Sequence, residues 1–293
     1  MVPSIAFLFP GQGRVPEAAP PPSEQLDRLF ALAEARGLPL RDWIRDRQED
    51  LLARTVHAQP ALLIDSLARE ASLRTAGWSA DVVAGHSLGE YAALVSAGVL
   101  DDLDALGAVI ERGRAMDGID GAMAAILKLD LGTVESLCDK AEGDVCVANH
   151  NAASQIVVSG DATAVSEVAR KATDRGGRAI PLRVSGPFHS PAMRPAEQAL
   201  EPLLRSLPFR PPGLSFVSSV TGTIQTDPAQ LRDTLCRQIT ARVRWVDVVS
   251  RLEELGVETA VEVGSGDVLT RLGRRSSTRI RFVTYKEAFD ERA

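Results

Sequence analysis

Val82-Val83-Ala84-Gly85-His86-Ser87-Leu88-Gly89-Glu90-Tyr91-Ala92-Ala93-Leu94-Val95-Ser96-Ala97-Gly98 carries the reading of this chain. Val82, Val83 and Ala84 make the end of a short buried strand, and Leu88–Ala97 is rich in helix formers until Gly98 stops it. Between them Gly85 and Gly89 flank a single serine, and small residues there allow a sharp strand-to-helix turn that lifts the Ser87 hydroxyl clear of the backbone. A serine so placed is a nucleophile candidate. It also sits at a helix N-terminus, where unpaired N–H groups and the positive dipole end favour a developing oxyanion.

Outward from the elbow the grammar is α/β. Ile5–Phe9 reads as an apolar strand running into Pro10-Gly11-Gln12-Gly13, followed by a loop with Pro16, Pro20, Pro21 and Pro22. Ser23 is a candidate N-cap for a helix through Arg36, Ala61–Ala71 reads as a helix leading to the elbow strand, and Asp101 is expected to cap a helix reaching Arg112. The rhythm changes at Gly121. Strand Ala122–Leu129, helix Gly132–Ala141, strands Val145–Ala148 and Gln155–Ser159, helix Ala162–Arg175 and strand Arg178–Val184 spell β-α-β-β-α-β. That order predicts a ferredoxin-like subdomain over 121–187 inserted in a larger α/β domain formed by 1–120 and 188–293. The larger domain resumes with helix Pro195–Leu207, strand Leu214–Ser218, helices near Ala229–Ile239 and Val246–Leu255, and strands Thr259–Val263 and Ile280–Thr284.

Composition narrows the function classes. With 293 residues, 45% hydrophobic and 25% charged, the chain can bury a sizeable core, and no run approaches the roughly 20 apolar residues of a membrane span. The start lacks the basic flank of a signal peptide, so a cytoplasmic location is expected. A net charge of −6 argues against nucleic-acid and anionic-membrane partners. Arg271, Arg274, Arg275, Arg279 and Arg281 nevertheless concentrate positive charge that can dock an acidic macromolecule or a phosphate, or simply form a solvated face. Cys138, Cys146 and Cys236 form no C-x-x-C pair and read as reduced structural thiols; no metal-ligand cluster and no cofactor motif is visible. Gly11-Gln12-Gly13 does not extend to a dinucleotide fingerprint, because Pro16 stands at the third glycine position.

A serine hydroxyl needs a base. Of the four histidines, His86 adjoins Ser87 and should point away from it as a packing residue. His57 lies near a helix start, and His150 in Asn149-His150-Asn151 is placed at a subdomain turn. His189, in the irregular Ser185-Gly186-Pro187-Phe188-His189-Ser190 that follows the last subdomain strand, is the base candidate. Acyl transfer also needs two donors for the tetrahedral oxyanion; the Leu88 N–H supplies one, and the Gln12 N–H, between two glycines, the other.

Taken in order, F-P-G-Q-G (9–13), A-Q-P-A-L (58–62), G-H-S-L-G-E-Y (85–91), E-R-G-R-A-M (111–116), G-A-M-A-A-I (121–126), N-H-N with Q-I-V-V-S-G (149–160), F-H-S-P-A-M (188–193), V-R-W (243–245) and E-V-G-S-G-D-V-L (262–269) resemble the malonyl-CoA:acyl-carrier-protein transacylases along nearly the whole chain. The resemblance implies an α/β-hydrolase-like domain interrupted by the ferredoxin-like one, with the site in the gorge between them. It makes Ser87 the acyl acceptor, His189 its base and Gln12 with Leu88 the oxyanion hole. It further makes Arg112 a clamp for the malonyl carboxylate, with Gln59 and Met116 beside it, and Asn151 a gorge residue near the thioester carrier. The backbone carbonyl of Arg244 would orient the histidine where hydrolases use an acid. Phe188 resembles the form that crowds the α-carbon and favours malonyl over a methyl-branched group. Gly264-Ser265-Gly266 departs from the Gly-Pro-Gly usual in that family, and the segment after Gly13 is shorter and richer in proline.

The activity so implied is ping-pong malonyl transfer from malonyl-CoA to the phosphopantetheine thiol of acyl carrier protein, without a cofactor. A serine hydrolase would share the elbow and the histidine but favour a triad acid and have no need for the arginine. A noncatalytic carrier-binding module would share the acidic-partner logic of the Arg271–Arg281 segment. Fatty-acid synthesis, polyketide synthesis and malonate decarboxylation all fit the pattern.

Overall fold

The computed structural model describes residues 4–13, 16 and 23–292, so Pro20, Pro21 and Pro22 lie outside the described residues. Nine strands occur among them: β1 (Ser4–Phe9), β2 (Val82–Gly85), β3 (Ala122–Leu127), β4 (Val145–Ala152), β5 (Gln155–Gly160), β6 (Arg178–Pro181), β7 (Ser215–Val217), β8 (Val257–Glu262) and β9 (Arg281–Thr284). They form two sheets, one ordered β7-β2-β1-β8-β9 and the other β4-β5-β3-β6.

Every pairing in the first sheet is parallel. Parallel strands are covered on both faces, which is why β1 is an unbroken apolar run. The two-residue side-chain period sorts it: Phe7 and Phe9 enter one core with the helices Glu24–Ala35, Thr55–Thr75 and Asp102–Met116, whereas Ala6 and Leu8 enter a second core with Trp245, Val248 and Leu252. Phe9 lies opposite Gly85 in the β1–β2 register, so Pro10–Gly13 and His86–Leu88 leave the carboxyl ends of neighbouring parallel strands side by side. Open α/β sheets place their ligand crevices there.

The second sheet is antiparallel throughout. Ala124 and Ile126 of β3 face a core shared with the helices Leu131–Cys138 and Ala162–Asp174; Met123 and Ala125 face the other way, onto Met116, Phe188 and Met193. Edge strand β4 is tied to the first layer by two main-chain hydrogen bonds, His150 N to Val243 O and Val243 N to Ala148 O, both 2.8 Å. His150 is therefore a strand residue and does not lie at a turn.

Local expectations were met unevenly. Ser23 does cap its helix, its hydroxyl accepting from the Leu26 N–H. Asp101 does not cap with its side chain; its carboxylate pairs instead with Arg210 at 2.7 Å. The helix expected at Ala61–Ala71 runs from Thr55 to Thr75, because burial of Thr55, Ala58 and Gln59 carries it through Pro60. Helices Leu40–Arg45, Glu49–Ala53, Val268–Ser276 and Tyr285–Asp290 are additional to those read from the sequence.

Candidate active site

The elbow is as tight as its glycines imply. A Cβ on Gly85 would lie 2.1 Å from the Gly89 carbonyl carbon, and one on Gly89 would lie 2.0 Å from the Phe9 oxygen. Ser87 itself has φ +52°, a left-handed conformation that strains a residue with a Cβ and that concentrates at functional sites. The main-chain N–H groups of Gln12 and Leu88 have no acceptor among the described residues, and Leu88 stands immediately before the helix Gly89–Ser96.

His189 also has positive φ, +59°, and its ring meets the serine: Nε2 lies 2.7 Å from Ser87 Oγ. On the far side of the ring, Nδ1 lies 3.0 Å from both the Gln238 and the Ala241 carbonyl oxygens. Carbonyls only accept, so the ring proton belongs on Nδ1 and the Nε2 lone pair is left to face the serine hydroxyl. Burial, the Arg112 charge and His86 push the imidazole pKa down to about 3, so it is neutral at physiological pH. The expectation that the Arg244 carbonyl orients this ring is corrected. That oxygen accepts from Val248 N at 3.1 Å, closing the first turn of the helix Trp245–Glu254, while the exposed Arg244 side chain leans toward Asp247.

Behind Ser87 lies a buried polar chain. Arg112, 1% exposed, donates from Nη1 to Gln59 Oε1 at 2.5 Å and from Nη2 to Ser87 Oγ at 3.2 Å and Gln238 Oε1 at 3.3 Å. Gln59 Nε2 donates to Thr55 Oγ1 at 2.9 Å and touches Met116 Sδ at 3.5 Å, and the Thr55 hydroxyl donates to Gln12 Oε1 at 2.9 Å. Among the described residues the side-chain partners of Arg112 are the neutral Gln59, Ser87 and Gln238, with no carboxylate, and its Nε–H has no acceptor. Buried guanidinium groups are ordinarily paired, so a desolvated one with spare donors is set up to receive an anion.

In front of Ser87 opens a cavity of about 240 Å³, lined by Gln12, Ser87, Asn151, Phe188 and His189 together with apolar side chains of the second sheet. His86 also lines this cavity, but its hydrogen bond goes to Asn151 and not to the nucleophile: its Nε2 lies 2.9 Å from Asn151 Oδ1 and its ring is tilted against Trp245. Of the ten residues singled out from the sequence, Gln12, Ser87, Asn151, Phe188 and His189 line this cavity, Gln59 and Met116 stand with Arg112 behind it, Leu88 follows Ser87 with its side chain in the core, and Arg244 lies apart. No group of three or more metal-ligating side chains occurs among the described residues. The arginines near the C-terminus are engaged within the chain: Arg271 with Asp267, Arg274 with Glu287, Arg281 with Glu291 and Arg275 with Gln155.

Gln238 and Glu90 were not foreseen, nor were the Thr55 hydroxyl and the Ala241 carbonyl. Gln238 supplies a carbonyl to His189 and an amide to Arg112, and Glu90, 2% exposed, receives the Gln238 amide at 2.5 Å. Glu90 did leave a trace: it is the one charged residue in the helix Gly89–Ser96. Gln238 leaves none, since its side-chain contacts are made across 126 to 151 residues of chain.

An acyl transferase domain family matches residues 23–283. The chain is 36% identical to the malonyl CoA-acyl carrier protein transacylase of Bacillus subtilis, covering 97% of this chain and 93% of that protein. The chain belongs to the malonyl-CoA:acyl-carrier-protein transacylases. In structure, this transacylase superposes with a TM-score of 0.92 on the acyl-carrier-protein S-malonyltransferase of Burkholderia pseudomallei, at 35% identity and 98% coverage of both chains. It also superposes, with a TM-score of 0.90 at 31% identity, on a malonyl-transacylase solved in complex with its type II polyketide acyl-carrier protein, covering 98% of this chain and 99% of that one. Membership makes this transacylase an acyltransferase of mixed α/β fold, and no helix of the described residues is long and apolar enough to cross a membrane.

Proposed function

We propose that this enzyme moves a malonyl group from malonyl-CoA to the phosphopantetheine thiol of an acyl carrier protein through a malonyl ester on Ser87. The observation that carries the reading is that one hydroxyl, Ser87 Oγ, lies 2.7 Å from a neutral imidazole and 3.2 Å from a buried guanidinium. The imidazole is a base for the serine proton. The guanidinium suits an acyl group that itself ends in a carboxylate.

In the first half-reaction His189 Nε2 takes the Ser87 proton as Oγ attacks the thioester carbon. The tetrahedral oxyanion rests on the Gln12 and Leu88 N–H groups, and collapse breaks the C–S bond, with His189 returning the proton to the departing CoA thiolate. The Gln238 and Ala241 carbonyls stabilise the transient imidazolium through Nδ1–H, a task that a carboxylate performs in hydrolase triads. The malonyl carboxylate then takes the place of Ser87 Oγ on Arg112. In the second half-reaction the carrier thiol gives its proton to His189 and attacks the ester carbon, and collapse breaks the C–Oγ bond as His189 passes the proton to Ser87 Oγ. Asn151 lines the path of the pantetheine arm, and Phe188 narrows the space beside the α-carbon.

The architecture we assign to this function is an α/β-hydrolase-like domain of residues 1–120 and 188–293 with a ferredoxin-like subdomain of 121–187. The β4-β5-β3-β6 order and the β-α-β-β-α-β succession support the latter name. A cytoplasmic location accords with a carrier-protein substrate. The test is to supply malonyl-CoA with and without a phosphopantetheinylated carrier: malonyl-carrier as the main product supports transfer, and free malonate at the same rate in both samples would establish a hydrolase.

A further inference from the structure

Gln238 touches all three functional groups at once. Its main-chain carbonyl accepts from His189 Nδ1, its Nε2 donates to the Ser87 carbonyl oxygen at 2.9 Å, and its Oε1 accepts from Arg112 at 3.3 Å. Its amide orientation is not arbitrary. Arg112 can only donate and the Ser87 carbonyl can only accept, so oxygen must face the guanidinium and nitrogen the elbow. The second Nε2 hydrogen goes to Glu90, whose two carboxyl oxygens also receive the Ser219 N–H at 3.1 Å and the Ser219 hydroxyl at 3.2 Å. Gln238 and Glu90 are 0% and 2% exposed, and neither reaches the gorge.

We propose that the Gln238 side chain, anchored from behind by Glu90, is a positioning element that sets the Arg112 guanidinium against Ser87 and so determines selectivity for carboxylate-bearing acyl groups. This rests on the reading of Arg112 as the malonyl clamp. Arg112 spans the space between two amide oxygens, Gln59 Oε1 on one side and Gln238 Oε1 on the other. Remove the second, and the Nη2 end loses the acceptor that fixes its plane while the His189 contact, made by main chain, persists. An acetyl group has no carboxylate to meet, so its transfer does not depend on that plane.

The experiment measures acylation of Ser87 by malonyl-CoA and by acetyl-CoA in the full-length protein for Gln238→Met, Arg112→Ala and the double variant. We expect Gln238→Met to lower kcat/KM for malonyl-CoA about 10-fold or more, chiefly through KM, with acetyl-CoA affected several-fold less. In the Arg112→Ala background it should produce no further malonyl-specific loss, since the two act as one unit. Glu90→Gln provides a variant of native shape. It has one side-chain oxygen where two accept now, so either Ser219 N–H or the Gln238 amide faces a donor, and a smaller loss of the same sign is expected. Parallel falls for both donors, or malonyl losses that multiply in the double variant, would overturn the proposal. If Arg112→Ala itself leaves the malonyl-to-acetyl ratio unchanged, it is the clamp reading that fails.

Discussion

Arg112→Ala is the perturbation that separates a malonyl transferase from a generic serine acyl-enzyme. The side chain is buried, has no carboxylate partner of its own and makes three hydrogen bonds to neutral groups. A substrate carboxylate arriving there would form charge-assisted bonds in a site without competing water, and losing one partner of such a pair costs about 3–5 kcal/mol. Taking about 3 kcal/mol as the selective share, kcat/KM for malonyl-CoA should fall by ~10² or more, while acetyl-CoA, without the carboxylate, loses only the modest Ser87 contact. Stability should move the other way or scarcely at all. The substitution also removes a desolvated cation, an unfavourable feature of the resting fold, although Gln59 and Gln238 each lose a donor. The assay is competition between malonyl-CoA and acetyl-CoA for Ser87, read by intact mass, with a thermal melt on the same samples. Equal losses for the two donors, or a collapse in melting temperature that accounts for the malonyl loss, would refute the clamp.

Because Ser87 holds φ +52°, Ser87→Gly should be more stable than Ser87→Ala by about 1 kcal/mol, seen as a higher denaturant midpoint, although both are inactive. Gly89→Ala places a Cβ 2.0 Å from the Phe9 oxygen, so it should cost several kcal/mol, roughly 3 or more, and the variant should melt far below the parent or fail to accumulate as folded protein. The His189 pKa is depressed to about 3 by burial and by Arg112, and burial depresses that of His86 as well. Between about pH 6.5 and 3 the unfolded chain therefore binds a proton that the native His189 ring refuses. Stability should be fully present above pH 6.5 and fall as pH drops through that window, by up to about 1.4 kcal/mol per unit from His189, with His86 adding a loss of the same sign. His189→Gln, which has no proton to refuse, should show a shallower decline in urea titrations from pH 7 to 5; an unchanged slope would contradict a neutral buried imidazole.

The elbow was legible because its requirement is local: two glycines, an apolar strand end and a helix start lie within one short run of sequence, and packing enforces them. His189 was legible by elimination among four histidines, and its distance along the chain did not matter once the other three were placed. The second sheet was legible because helix and strand periods alternate cleanly there. Polar connections across the core were not. Gln238 lies at the C-cap of the helix Pro228–Arg237, and nothing in its neighbours distinguishes it from a surface glutamine. Arg244 was misassigned because a carbonyl has no sequence signature, and which one faces a ring depends on where the turn after that helix bends. The extent of the helix Thr55–Thr75 was missed for a related reason: Pro60 reads as a boundary in local terms, whereas burial of its neighbours keeps the helix going.

The most direct measurement of the central claim is a single-turnover chase. The protein is loaded with malonyl-CoA, the acyl group is located by peptide mass, and a phosphopantetheinylated carrier is then added. The label should sit on Ser87, vanish from Ser87→Ala, form far more slowly in His189→Ala and pass to the carrier thiol. A malonyl label that persists in Ser87→Ala, or one that never leaves Ser87 for the carrier, would contradict it.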